Sequence, residues 1–288
     1  MKVLSFGEVL WDVYPNEKCL GGAPLNFAAH FKKCGGEAWI ITGVGNEALG
    51  TETVNEIKKL GIQTEFVTYS DKQTGKCLVS LDDNQVPTYD LLDDVAYDYI
   101  NNSDFDGMSF DVLYFGTLAL RHENNINLLT QIISKNNFKH IFADMNIRSP
   151  YYCEATIRFA FENATILKIS DEELPIVMEF AKSDNLSLEQ SVKLIGEIFK
   201  NIKLLIITRG DKGSYVYDYI NEESYECEAQ KIKPVSTVGA GDSFSGAFLS
   251  RYLTAGDIAK ALEFATKISG FVVAHKEAIP DYDIKYFE

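Results

Sequence analysis

The chain has 288 residues, 46% of them hydrophobic, which is ample material for one large α/β unit with a full core. Its formal net charge of −15 argues against nucleic acid and anionic membrane as partners, although a local anion hole can hold an anionic substrate against that field. No apolar stretch approaches the roughly 18 residues of a membrane span, and Met1-Lys2 runs into a strand-like segment without a leader pattern. The five cysteines, at 19, 34, 77, 153 and 227, form no CxxC or His-Cys cluster, so a cytoplasmic protein with reduced thiols and no structural metal is expected.

In chain order, residues 3–6 read as a buried strand that ends at Gly7-Glu8, followed by strand-like 10–14. Gly21-Gly22 opens a helix over 24–33, with proline at its start and Gly35-Gly36 at its stop. A strand over 39–42 precedes a helix from about 49 to 60. Segments 76–81 and 86–92 alternate around the turn-like Asp82-Asp83-Asn84, a hairpin signal. With 10–14 and the segment near Cys19 this hairpin is expected to build a small β-sheet lid, over about 10–20 and 75–95. Further strands at 112–115, 140–143, 164–169 and 203–208 alternate with helical patterns near 126–134, 154–162 and 188–199. An extended segment at 230–235 leads through two glycines into a helical run over 244–252. The alternation predicts βαβ units, hence a three-layer α/β/α sandwich with a mostly parallel sheet, spanning 1–288 as one unit.

Two constellations carry chemistry. Near the end, Gly239-Ala240-Gly241-Asp242 joins bare glycine backbone to a helix start, whose orphan N–H groups and positive dipole end make an anion hole. An aspartate there is a poor phosphate ligand but a suitable proton acceptor for a hydroxyl attacking phosphorus; it also serves simply as a first-turn acid for the helix dipole. Near the start, Asp12, the bare backbone of Gly21 and Gly22, and Asn26 offer both donors and acceptors, which suits a neutral polyol. Capping and turn chemistry would also explain them. A rival motif, Gly43-Val44-Gly45-Asn46-Glu47-Ala48, fits the loose dinucleotide pattern with Glu65 about 20 residues on, pointing to a nicotinamide-dependent oxidoreductase. Glu47, however, stands where pyrophosphate would approach. The histidines at 30, 122, 140 and 275 show no ligand spacing and read as surface or capping residues.

The pair GGAPLNFA and STVGAGDSFSGAF resembles the signature of the phosphofructokinase-B, or ribokinase-like, carbohydrate kinases, and the likeness runs over essentially the whole chain. Residues 43–50 are similar to the family's V-G-x-D-x-x-G segment, and Thr208-Arg209-Gly210-Asp211-Lys212-Gly213 to its T-x-G-x-x-G nucleotide segment. GEVLWD, GGAPLN, VPTYDLLDDVAYD, YFGTLALR and ADMNIRSPYY, the last similar to D-P-N-x-R, most resemble the fructokinase branch.

The resemblance implies ATP-dependent phosphorylation of a sugar, with fructose and its 6-hydroxyl first among acceptors and ribose, 2-keto-3-deoxygluconate or a nucleoside as alternatives. It implies Asp242 as base, the backbone of Gly239, Ala240, Gly241 and Asp242 around the transferred group, and Asp12, Gly22 and Asn26 on the sugar. Arg148 would lie near the acceptor or phosphate. Lys168, Thr208, Gly210 and Gly213 would line the nucleotide site, with Ala265, Ile268 and His275 bordering adenine. Glu173 would organise Mg²⁺ through water. Ser170, Met145 and Ser236 depart from the pattern. Because Ser236 replaces an aspartate of the relatives' monovalent-cation site, potassium activation is in doubt. A non-catalytic sugar sensor on the same scaffold is the alternative from another class. An exposed lid edge could pair with a second subunit.

Overall fold

The computed structural model describes residues 1–287 apart from 82–86, 103, 106, 181–182 and 184–185; the predicted turn Asp82-Asp83-Asn84 lies outside the described residues. The strands are β1 (Lys2–Phe6), β2 (Leu10–Val13), β3 (Lys18–Gly21), β4 (Glu37–Gly45), β5 (Val67–Ser70), β6 (Gly75–Leu81), β7 (Pro87–Leu91), β8 (Val112–Gly116), β9 (His140–Asp144), β10 (Ile166–Ser170), β11 (Leu204–Thr208), β12 (Ser214–Asp218) and β13 (Glu223–Cys227). The helices are α1 (Ala23–Lys33), α2 (Ala48–Lys59), α3 (Glu123–Lys135), α4 (Glu154–Asn163), α5 (Leu174–Phe180), α6 (Leu188–Ile198), α7 (Ala240–Ala255) and α8 (Ile258–Val273).

Nine strands form the main sheet in the order β13-β12-β11-β10-β9-β8-β1-β4-β5. Every pairing from β11 to β5 is parallel, and β12 and β13 add an antiparallel edge. Because strand side chains alternate between faces, each strand feeds two cores. Leu4, Phe6, Leu113, Phe115, Leu205 and Ile207 pack on one side with α3, α4 and α6; Val3, Val112, Tyr114, Leu204 and Ile206 pack on the other with α1, α7 and α8. The predicted three-layer sandwich is therefore what these residues form. The extended segment at 230–235 forms no strand; a bond from Val235 N–H to the Val273 carbonyl ties it to the end of α8.

The second sheet, β3-β2-β6-β7, rises from the C-terminal end of β1, where Gly7 turns the chain at φ 141°. A small cluster with Leu10, Cys77, Val79, Val95 and Tyr97 joins it to the main body. The Trp11 indole N–H donates to Thr53 Oγ1 at 2.8 Å, fastening β2 to α2.

The dinucleotide reading of 43–48 fails on packing. Thr74 N–H donates to Glu47 Oε1 at 2.9 Å and Gly45 N–H to Thr74 Oγ1 at 3.0 Å, while the missing side chain of Gly43 admits the Ala96 carbonyl. The start of α2 is thus filled by the protein itself. Two histidine expectations also change. His30 is a core residue, with ring nitrogens 2.8 Å from Tyr282 Oη and 2.9 Å from the Ala278 carbonyl, and burial pushes its pKa down to about 4. His122 does share ligand spacing with Asp93 and Asp98, yet the Arg121 guanidinium already occupies that group, 2.7 Å from Asp98 Oδ2. Among the described residues no helix is long and apolar enough to cross a membrane.

Candidate active site

The strands β9, β10 and β11 end side by side, and α7 begins beyond their carboxyl ends, where ligand crevices of open α/β sheets lie. Gly239 caps α7 in the left-handed region at φ 78°, and a Cβ there would also meet the Ala278 backbone, so glycine is required twice over. The loop leading in holds itself: Val238 N–H donates to Ser236 Oγ at 3.2 Å and Ala240 N–H to the Thr237 carbonyl at 3.2 Å. Ala240's donor is therefore already engaged, which narrows the anion hole expected over 239–242. Among the described residues no acceptor meets the N–H groups of Gly241 and Asp242. Two aligned donors at a helix start can take a phosphoryl oxygen.

Asp242, in the first turn, is half-buried and bonded to the other end of the chain: Asn26 Nδ2 donates to its Oδ2 at 2.8 Å. This meeting depends on a close crossing of α1 and α7. A Cβ on Gly246 would lie 2.8 Å from both the Phe27 carbonyl oxygen and the Phe31 nitrogen, so only glycine lets the helices approach so far. Burial, and then the negative Asp144, push the Asp242 carboxyl up to about 6, against Asn26, Lys168 and Arg148. Such a group is ionised at neutral pH and has a stronger proton affinity than an ordinary aspartate.

Of the residues expected to hold the sugar, Asp12 lies on β2 opposite Cys19 of β3 and Cys77 of β6. Burial raises its carboxyl, opposed by the Cys77 thiol and by Arg148. Gly21 faces it, a Cβ there coming within 3.3 Å of Asp12 Oδ2. Gly22 has φ 113° and presses on the Glu8 carbonyl, leaving no room for a side chain. Asn26 Oδ1 is buried without a partner, an acceptor left open beside Asp242. Exposed Arg148, in the loop after β9, faces Asp12 and Asp242 as a counter-charge.

Glu8 was not predicted. It is 1% exposed, its Oε2 has no partner, and Asp242 and Arg148 both act on it. Burial is the chief reason its carboxyl is pushed up to about 7. Its position just past a strand end was the available signal, but the same holds for many structural residues.

Of the residues expected to line the nucleotide, Lys168 does not reach freely into the cleft. The residue is 6% exposed, and its ammonium bonds both oxygens of Asp144, at 2.9 and 2.8 Å. Burial alone would lower its pKa; Asp144 more than reverses this and holds it above the ordinary lysine value. Thr208 ends β11, and Gly210, at φ 55° with open space around it, starts the following turn. Gly213 has a structural demand instead: its missing side chain makes room for the Cys227 carbonyl of β13. Glu173 accepts from the N–H groups of Ile147 and Ser170, and Ser170 Oγ accepts from Glu173 N–H at 3.1 Å. The departure at Ser170 thus keeps a closed local network. Glu173 is half-buried, and each of its oxygens has a second lone pair. Of the residues expected near adenine, Ala265 and Ile268 are buried in the core, and His275 Nδ1 lies 2.7 Å from the Phe271 carbonyl.

A helix start of this kind can take a phosphoryl group, and the carboxylate beside it a proton; the fold that carries them is that of the ATP-dependent carbohydrate kinases. The chain belongs to the pfkB family carbohydrate kinases, whose profile matches residues 3–285. It is 27% identical over 316 aligned positions to probable fructokinase-5 of Arabidopsis thaliana, covering 96% of this chain and 93% of that one. With the fructokinase of Vibrio alginolyticus it shares 26% over 259 positions, covering 85% and 81%. Among solved structures, the same fold appears in the fructokinase of Vibrio cholerae O395 bound to fructose, ADP and calcium ion, with TM-score 0.85, 22% identity and coverage of 99% and 98%. An uncharacterized sugar kinase from Pyrococcus horikoshii matches with TM-score 0.82 and 24% identity, covering 99% and 96%.

Proposed function

We propose that this kinase transfers the γ-phosphoryl group of ATP to the 6-hydroxyl of D-fructose. The observation that supports this is the bond between Asn26 and Asp242, which joins the segment read as sugar-binding to the proposed proton acceptor at the start of α7. Asp12, the Gly21-Gly22 backbone and Asn26 hold the sugar. Asp242 accepts the hydroxyl proton as the oxygen bonds to phosphorus, and the N–H groups at the start of α7 stabilise the charge on the transferred group. Thr208 and Gly210 border the nucleotide. Relatives named as fructokinases, one of them solved with fructose and ADP, support the choice of sugar.

The donor set suits Mg²⁺, which is held by one or two carboxylates together with substrate phosphates. Glu173 would hold it through water; when bound, the ion neutralises polyphosphate charge. Ser236 closes its loop by its own hydroxyl, and we propose that the cation site of relatives is altered here. The second sheet acts as a lid that excludes water from the sugar and limits ATP hydrolysis.

Arg148 favours one further acceptor, an acidic sugar such as 2-keto-3-deoxygluconate, because it is exposed on the sugar side. An ADP-release assay over fructose, ribose, 2-keto-3-deoxygluconate and adenosine decides. Fructose is expected to give the highest kcat/KM; turnover of another sugar without turnover of fructose overturns the assignment.

A further inference from the structure

Asp144 has no task in the proposed transfer, yet it is the best-bonded carboxylate near the site. It is 1% exposed at the C-terminal end of β9. Four donor contacts satisfy it: two from the Lys168 ammonium at 2.9 and 2.8 Å, the Ser245 hydroxyl at 3.1 Å and the Tyr114 hydroxyl at 3.3 Å. These donors come from β10, α7 and β8, so one carboxylate ties two neighbouring strands to the helix that starts the anion hole. Ser245 is one turn beyond Asp242 on the same helix face. The Lys168 ammonium lies 3.2 Å from where a Cβ on Gly241 would stand, so a side chain there would press on it.

We propose that Asp144 is a positioning residue for phosphoryl transfer, one that holds Lys168 back from Asp242 and keeps Asp242 available to accept a proton. The inference rests on the kinase reading. A buried ammonium with no other partner seeks the nearest carboxylate. Without Asp144 the carboxylates left to it are Glu173 and Asp242, and a base drawn into an ion pair with it loses proton affinity. With Asp144 in place the lysine is neutralised locally, and the second negative charge opposes ionisation of Asp242. The groups facing Asp242 are Asn26 from α1, Lys168 from β10, Asp144 from β9, Arg148 from the loop beyond it, Glu8 after β1 and Tyr114 from β8.

The test is steady-state kinetics of Asp144→Asn from pH 5 to 9, with sugar binding measured by calorimetry. Expected are a kcat loss of about thirtyfold or more, sugar affinity within about threefold, and an acid limb of kcat moved down by about half a unit or more. Wild-type kcat with an unmoved limb overturns the proposal. So does a kcat loss with an unmoved limb and an equal loss of sugar binding, which marks a purely architectural role. Should Asp144→Asn prove insoluble, Asp144→Ser removes the same charge with a smaller side chain. Its acid limb is expected to move down by about half a unit or more, and an unmoved limb in that variant overturns the proposal. Asp242→Asn is the control: if it retains turnover, the base reading itself fails. If it is inactive while the Asp144 variant behaves as wild type, only the positioning role fails.

Discussion

A carboxyl group buried with one oxygen unpartnered costs stability each time it ionises, and Glu8 is such a group. Its pKa, pushed up to about 7 from the ordinary value of 4.5, means that the folded chain binds more protons than the unfolded chain between those values. Stability therefore falls as pH rises through this window, and the penalty is complete above pH 7. Glu8→Gln keeps the shape and removes the charge. We expect its unfolding midpoint to exceed wild type at pH 8 and to match it at pH 4, read by calorimetry; equal midpoints at pH 8 contradict the assigned environment. Asp242 was legible in the sequence because its whole setting, two glycines and a helix start, lies within four residues. Glu8 and Asp144 were not. Asp144 draws its meaning from Lys168, 24 positions away, which the strand register brings to it, and from Ser245, 101 positions away, which the packing of α7 brings to it.

Helix α7 shows the same division between elements. Its start was readable, but its contact with α1 depends on Gly246, which looks like an ordinary small residue in a helical run. Gly246→Ala places a methyl 2.8 Å from the Phe27 carbonyl oxygen and the Phe31 nitrogen. The expected outcome is a destabilisation of about 1–3 kcal/mol in denaturant unfolding, with kcat reduced as Asn26 and Asp242 are pushed apart; an unchanged or raised stability contradicts the tight crossing. The lid is fastened more lightly. Lys276, beyond α8, pairs with Glu17 in the β2–β3 turn at 2.7 Å, and both are exposed. Lys276→Ala should raise KM for the sugar about two- to fivefold at low salt, with kcat unchanged and the difference fading as salt rises. A salt-independent effect rules out this latch. Strands β12 and β13 escaped the sequence reading because polar and acidic residues interrupt them; β12 is buried along almost its whole length, while β13 at the sheet edge is mostly exposed. The segment at 230–235 looked extended from its residues, but it has no neighbouring strand to pair with.

Over the whole molecule, the parallel sheet was legible because short apolar runs alternate with amphipathic helices, and few topologies accommodate that order. The site was legible at its two ends and obscure between them, since the fold joins residue 26 to residue 242 across the interior. The net charge of −15 need not exclude a polyphosphate, because in the proposed site the helix start and Arg148 supply a local positive field. In the proposed transfer, one carboxylate at that helix start takes the proton from the sugar. The direct test is Asp242→Asn, assayed for sugar binding by calorimetry and for turnover by ADP release. Expected are an affinity within about threefold of wild type and a kcat lower by about 10²–10⁴. Turnover within about threefold of wild type would contradict it.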